Sequence, residues 1–134
     1  MRDMDTKPLG SAEFLSSAGL GRRIVELEPE ECFYSQGDPS DAVYFLQRGR
    51  AKLTVVSEKG RQATISLLFP GDFFGECALA MNPVPRLATA MSVYACTAVK
   101  ISRSEMMQAM HEVPDFADWF LSHLVARDID DENV

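Results

Sequence analysis

Cysteine is scarce in this chain: three residues in 134, at positions 32, 77 and 96. No Cys-x-x-Cys spacing occurs and the first 31 residues hold none, which sets aside structural zinc, an amino-terminal iron–sulfur centre and a disulfide framework. The three are expected to be reduced thiols, mostly buried. Histidine is scarcer still, with only His111 and His123, and none in residues 22–101. A metal-dependent β-roll enzyme needs clustered strand histidines, so that chemistry is excluded and no metal site is expected. The two histidines read as surface or packed side chains. No Gly-x-Ser-x-Gly appears and no Ser/His/Asp set can be assembled by spacing, so a hydrolase finds no support and no enzyme activity is expected.

Long apolar runs are also missing. Nothing approaches the roughly 18–20 residues that span a bilayer. The opening Met1-Arg2-Asp3-Met4-Asp5-Thr6-Lys7-Pro8 lacks the apolar heart of a signal peptide, so a cytoplasmic location away from membranes is expected. Positive charge is short as well, with 13 Lys and Arg against 20 Asp and Glu and a net charge of −7. The only adjacent basic pair is Arg22-Arg23, too little to track a phosphate backbone, so these residues should not grip DNA themselves.

What remains, 46% hydrophobic and 25% charged, is an ordinary soluble globule large enough for one core. Residues 1–12 read as a loose tail, with a short helix from Ser11 towards Leu20. Short strands with turn punctuation follow at 22–28, 31–35, 42–47, 50–57, 61–69, 87–93 and 94–101, with an extended piece at 72–74. The clearest hairpin joins Ala51–Val55 to Ala63–Leu67 through Glu58-Lys59-Gly60. Its apolar positions alternate on both arms, which predicts that this set turns inward. Many short strands with regular turns indicate a jelly-roll-like β-roll. The fold class is therefore mainly β with flanking helices: a double-stranded β-helix over 13–112, followed by two carboxy-terminal helices. Ser102 and Glu105 form a Ser-x-x-Glu capping box, and Pro114 suits the first turn of the last helix, over 113–134.

That last helix carries two stripes. Phe116, Trp119, Phe120 and Leu124 would dock on the roll, while Leu121, Val125 and Ile129 at four-residue spacing would meet a second copy in a homodimer. Full burial of one broad stripe within the monomer is the alternative. The acidic tail Asp128-Ile129-Asp130-Asp131-Glu132 sits where a helix end prefers cations, which predicts fraying or a longer natural chain.

The segment Phe73-Phe74-Gly75-Glu76-Cys77-Ala78-Leu79, followed by Pro85-Arg86-Leu87-Ala88-Thr89, concentrates the chemistry. Gly75-Glu76 reads as a turn entering a helix, whose free N–H groups favour an anion. Arg86, eleven residues past Gly75, adds a planar fork that grips two phosphate oxygens at once. Glu76 is a good acceptor for a sugar hydroxyl. Together they suit a phosphorylated sugar.

This order, from Gly71-Asp72-Phe73-Phe74-Gly75-Glu76 through Ala78-Leu79 to Arg86 and Ala88-Thr89, resembles the phosphate-binding cassette of cyclic-nucleotide-binding domains. Tyr34-Ser35-Gln36-Gly37-Asp38, Val43-Tyr44-Phe45-Leu46 with Gly49, and Ala98-Val99-Lys100-Ile101 extend the resemblance over about residues 14 to 127. The spacing to Arg86 and the Pro114-Asp115 helix start are most similar to the catabolite-activator/Fnr branch of bacterial transcription regulators. The resemblance implies that Gly75, Cys77 and Ala78 present N–H groups, Glu76 holds the ribose 2′-hydroxyl and Arg86 the cyclic phosphate. Leu53, Leu68 and Phe74 would line the pocket, or else be plain core. Leu87 stands where relatives often carry a small or hydroxyl residue and would crowd that edge. Asp131 and Glu132 stand where the catabolite activator caps the purine with hydroxyls. The implied effector is cyclic AMP, with cyclic GMP as the alternative. The implied role is an amino-terminal effector domain without a cofactor, reading DNA only through a carboxy-terminal domain absent from this chain. A dimerisation module with a vestigial pocket, or one for another small effector, is the competing reading.

Overall fold

The computed structural model describes the backbone of residues 21–132 and side chains up to Arg127. The expected tail, the Ser11–Leu20 helix and the side chains of Ile129, Asp131 and Glu132 lie outside the described residues. Eight strands form two antiparallel sheets: β1 (Arg22–Leu27), β2 (Cys32–Tyr34), β3 (Ala42–Arg48), β4 (Ala51–Val56), β5 (Gln62–Leu68), β6 (Phe73–Phe74), β7 (Thr89–Ser92) and β8 (Cys96–Ser102). The sheet orders are β1-β8-β3-β6 and β2-β7-β4-β5. Two helices follow, α1 (Arg103–Glu112) and α2 (Pro114–Glu132). Among the described residues no helix is long and apolar enough to cross a membrane.

The centre of the first sheet is covered on both faces, and its sequence says so. In β3, Ala42 through Leu46 are all buried, a continuous run where a half-exposed strand would alternate. Ala42, Tyr44 and Leu46 join Phe74, Cys96, Ala98 and Leu68 in a cluster inside the roll. Val43 and Phe45 point the other way and pack with Phe73, Val99, Ile101, Met106, Phe116 and Phe120 beneath the helices. The adjacent Phe73 and Phe74 thus serve opposite layers. Phe73 meets Phe120 edge-on at 4.7 Å, and Phe74 stacks on Tyr44 at 5.2 Å.

The β4–β5 hairpin forms as expected, with Val55 opposite Ala63. On β5 the buried face is not the expected one. Ser66 and Leu68 point inward, whereas Ile65 and Leu67 are 50% and 57% exposed. The pairing skips Ile65, with Leu53 opposite Ser66 and Thr54 opposite Thr64, so Ala51 is buried and Leu53 packs on the core as expected while the apolar set of β5 turns outward.

Ser102 caps α1, its hydroxyl accepting from the Glu105 N–H at 3.2 Å. The Glu105 carboxylate instead ion-pairs with Arg22 at 3.3 Å, which ties α1 to β1. Helix α2 starts at Pro114 as read from the sequence. Its backbone stays helical to Glu132, so the predicted fraying over 128–132 is not seen. Phe116 and Phe120 are 2% exposed and anchor α2, while Leu121 and Val125 face outward at 56% and 57%. Truncating either phenylalanine to alanine would cost about 3–5 kcal/mol.

Candidate functional site

A turn far from Arg86 in sequence fixes where that residue sits. Asp38 closes the Ser35–Asp38 turn by accepting from the Ser35 N–H at 2.9 Å. The turn then clamps Arg86 by its backbone: the Arg86 N–H donates to the Asp38 carbonyl at 2.7 Å and the Gly37 N–H donates to the Arg86 carbonyl at 2.8 Å. The next turn of chain is pinned by Thr89, whose hydroxyl accepts from the Gln36 N–H at 2.9 Å. The Tyr34–Asp38 stretch and the Arg86–Thr89 stretch, separate in sequence, form one unit.

So held, the Arg86 side chain enters the roll and is 2% exposed. Nη1 donates to the Gly75 carbonyl at 2.9 Å and Nη2 to the Ala42 carbonyl at 2.6 Å. The guanidinium lies 4.0 Å over the Tyr34 ring. Nε is buried without a partner, and among the described residues no carboxylate pairs with this cation. Burial raises the Tyr34 phenol well above its ordinary value, with the Arg86 charge acting the other way, so the tyrosine stays neutral. A desolvated cation among neutral groups is costly unless a counter-charge arrives, and its free donor suits an anion.

Gly75 turns the chain with φ +77, and a Cβ there would stand 2.8 Å from Arg86 Nη1. Only glycine combines that conformation with so close a guanidinium. The helix expected after Gly75-Glu76 is shorter than predicted: a single 3₁₀ turn, Glu76–Leu79. One turn sums too few peptide dipoles to make a helix-end anion site, so the charge must come from Arg86. Within the turn the Ala78 N–H is already used, donating to the Gly75 carbonyl at 3.3 Å. Cys77 lies 3.3 Å from the Ser40 hydroxyl and 3.7 Å from Arg86 Nη1. Arg103 at the start of α1 holds the far end, donating to the Ala78 and Ala80 carbonyls at 2.9 and 3.3 Å.

Glu76 has a partner the sequence did not reveal. Arg127 of α2 reaches back across 51 residues and sets Nη2 2.6 Å from Glu76 Oε2. Its Nη1 donates to the Phe73 carbonyl. Arg127 continues the docking stripe, seven residues past Phe120, and a lone cation on an apolar stripe was the available signal.

Gly75, Glu76, Cys77, Ala78 and Arg86 therefore come together around one segment. Leu87 does not crowd it: the side chain is 69% exposed. Leu68 and Phe74 are fully buried in the roll's interior cluster, and Leu53 packs against it. An open cavity of about 610 Å³ lies elsewhere, between β5 and α2. It adjoins the cassette through Asp72 and Arg127, with Leu67 and Phe69 in its wall. Its opposite wall holds His123, which the sequence suggested was a surface or packed side chain.

The profile of the cyclic nucleotide-binding domain family matches residues 24–113. The chain belongs to that family. Its curated relatives include CRP-like transcriptional regulators and a cAMP-dependent protein kinase regulatory subunit from Yarrowia lipolytica. The CRP-like cAMP-activated global transcriptional regulator of Mycobacterium tuberculosis is 26% identical over 94 residues, 70% of this chain and 42% of that protein. The chain thus spans less than half of that relative's length. Two solved structures share the fold. The Thermus thermophilus catabolite activator protein has a TM-score of 0.72 at 24% identity, over 85% of this chain and 53% of that one. The c-di-GMP-responsive regulator CLP of Xanthomonas campestris has a TM-score of 0.76 at 17% identity, over 85% and 57%. The β-roll and its two following helices are the architecture expected from the sequence.

Proposed function

We propose that this domain binds a 3′,5′-cyclic nucleotide, cyclic AMP before cyclic GMP, and signals occupancy through α2 within a cytoplasmic transcription regulator. The observation that carries the reading is Arg86, a buried cation with no carboxylate partner among the described residues and an unbonded Nε. A cyclic phosphate supplies the missing charge, and the ribose hydroxyl finds its acceptor in Glu76 beside it. The cAMP activation of the mycobacterial relative supports the choice of nucleotide. A ligand drives a switch only by binding one arrangement better than another. Here the lever is Arg127, because ribose and Arg127 compete for or share the same carboxylate.

One observation favours a second reading, a module with a vestigial pocket or another effector. The Arg86 guanidinium already meets two carbonyls of its own chain. Calorimetric titration with cyclic AMP and cyclic GMP separates the two. Saturable 1:1 binding is expected, and no heat with either nucleotide at millimolar concentration overturns the assignment.

The exposed Leu121 and Val125 stripe supports a homodimer through α2, with DNA contacted by a further domain. Leu121→Glu with Val125→Glu should yield monomers, since each change places a charge in a dry seam. Sedimentation checks it: an unchanged dimer mass, or a monomeric wild type at high concentration, defeats the idea.

A further inference from the structure

The Arg86 guanidinium is held at both tips of its fork and on one face. Nη1 and Nη2 donate to the Gly75 and Ala42 carbonyls at 2.9 and 2.6 Å, and the group lies 4.0 Å over the Tyr34 ring. Two bonds at the tips leave a planar fork able to tip about the line that joins them. A ring face under the plane stops that tipping. Gly75 makes the room for this stack, since a Cβ there would stand 2.8 Å from Nη1 and 3.3 Å from Tyr34 Cε2.

The ring is itself anchored. Tyr34 ends β2, pairs with Ala90 of β7, and leads into the turn whose Asp38 carbonyl accepts from the Arg86 N–H. Its ring packs on Tyr44 at 5.6 Å and on Phe74 at 6.3 Å. Tyr44 is fixed in turn by its stack on Phe74 and by donating its hydroxyl to the Phe33 carbonyl at 3.3 Å. One short segment thus holds Arg86 by backbone and by side chain. The kind of support matters as much as its firmness. A carboxylate in this place would also hold the fork, but would cancel the charge that an anion has to find. A ring face attracts a cation through its quadrupole and carries no net charge. Burial keeps the phenol protonated, so Tyr34 does not become a counter-ion itself.

We infer that Tyr34 is the positioning residue of the anion site, a ring that orients the Arg86 guanidinium while leaving its charge to the ligand. The inference rests on the cyclic-nucleotide reading above and adds to it the group that aims the phosphate donor. Nε, buried and unbonded among the described residues, is the donor that this orientation keeps available.

The test joins NMR of the Arg86 Nε–H group, assigned by its loss in Arg86→Leu, to calorimetric titration with cyclic AMP. In wild type the ring current should shift that proton upfield. Tyr34→Phe keeps the face without the hydroxyl, and should keep the shift and most of the affinity. Tyr34→Leu should lose the shift and bind roughly tenfold more weakly, the size of a desolvated cation–π contact. A tyrosine that only fills space would leave the resonance where it is and change stability instead of affinity. An unshifted wild-type resonance overturns the inference while leaving nucleotide binding intact. So does a folded Tyr34→Leu that binds as tightly as wild type, or a Tyr34→Phe as weak as Tyr34→Leu, since the hydroxyl would then be the acting group. Should Tyr34→Leu fail to fold, the resonance and the affinity of wild type and Tyr34→Phe decide alone. Absence of cyclic AMP binding by wild type removes the underlying reading and this inference with it, whatever the resonance shows.

Discussion

Arg86 is enclosed by the roll and meets two carbonyls and a tyrosine face, whereas Arg127 rides on a helix, approaches the same segment from outside and meets a carboxylate. The first is fixed by backbone bonds at both its N–H and its carbonyl, to the Ser35–Asp38 turn. The second is fixed only as long as α2 stays docked. A cation that cannot move and lacks a counter-charge suits recognition. A cation whose contact depends on a neighbouring element suits regulation. Between them, Phe73 and Phe74 tie the cassette to the helix layer and to the roll interior respectively.

The comparison is broken most severely at Arg86. Arg86→Leu removes the fixed cation and should lower cyclic-nucleotide affinity a hundredfold or more. Hydrogen bonds to a charged group contribute about 1.5–3 kcal/mol each, a bidentate grip makes two, and each 1.4 kcal/mol is about tenfold. Circular dichroism should show the β-roll retained, because the change also removes a buried charge. Equal affinity in calorimetry would show that the anion binds elsewhere.

Gly75→Ala probes the same residue through its neighbour. The left-handed φ of +77 strains any side chain, and the new methyl would stand 2.8 Å from Arg86 Nη1. Destabilisation of roughly 1–3 kcal/mol is expected from the backbone strain. It would be read from chemical denaturation, with weaker nucleotide binding alongside. An unchanged midpoint would mean that the turn relaxes without cost.

Much of this arrangement can be read in the sequence because it is local. Period-two apolar patterns and glycine turns place the strands within one or two residues, as at β3, expected over 42–47 and found over Ala42–Arg48. The Ser102 cap and the Pro114 start are decided by side chains within four residues of the backbone they satisfy. The failures are the features set by distant packing. Ile65 and Leu67 alternate as an inward face should, yet the pairing with β4 skips Ile65 and both residues lie outside the core. Glu105 has the spacing of a reciprocal cap but is claimed by Arg22 from another element. Glu76 and Arg127 are 51 residues apart, a distance over which no periodicity speaks. Arg86 was legible as an anion-binding candidate, while its burial was not, since that depends on the Ser35–Asp38 turn closing over its backbone.

Breaking the other arginine should have the smallest effect and the most local one. Arg127→Gln removes the charge pair with Glu76 while an amide can still donate to the Phe73 carbonyl. The Glu76 side chain is 35% exposed and that of Arg127 14%, so water screens the pair. A contribution of at most about 1 kcal/mol is expected after that discount. The docking of α2 will not be lost, because Phe116 and Phe120 remain buried beneath it. What should change is the last part of the helix beyond Phe120, where Leu121 and Val125 already face outward and Arg127 is the contact that reaches the cassette. Hydrogen exchange should therefore accelerate over residues 121–132 and stay constant in β3 and β8, whose amides open only with the whole roll. Faster exchange throughout the domain would make Arg127 a general stabiliser, and no acceleration at all would mean that the helix is held without it and that its contact with Glu76 transmits nothing.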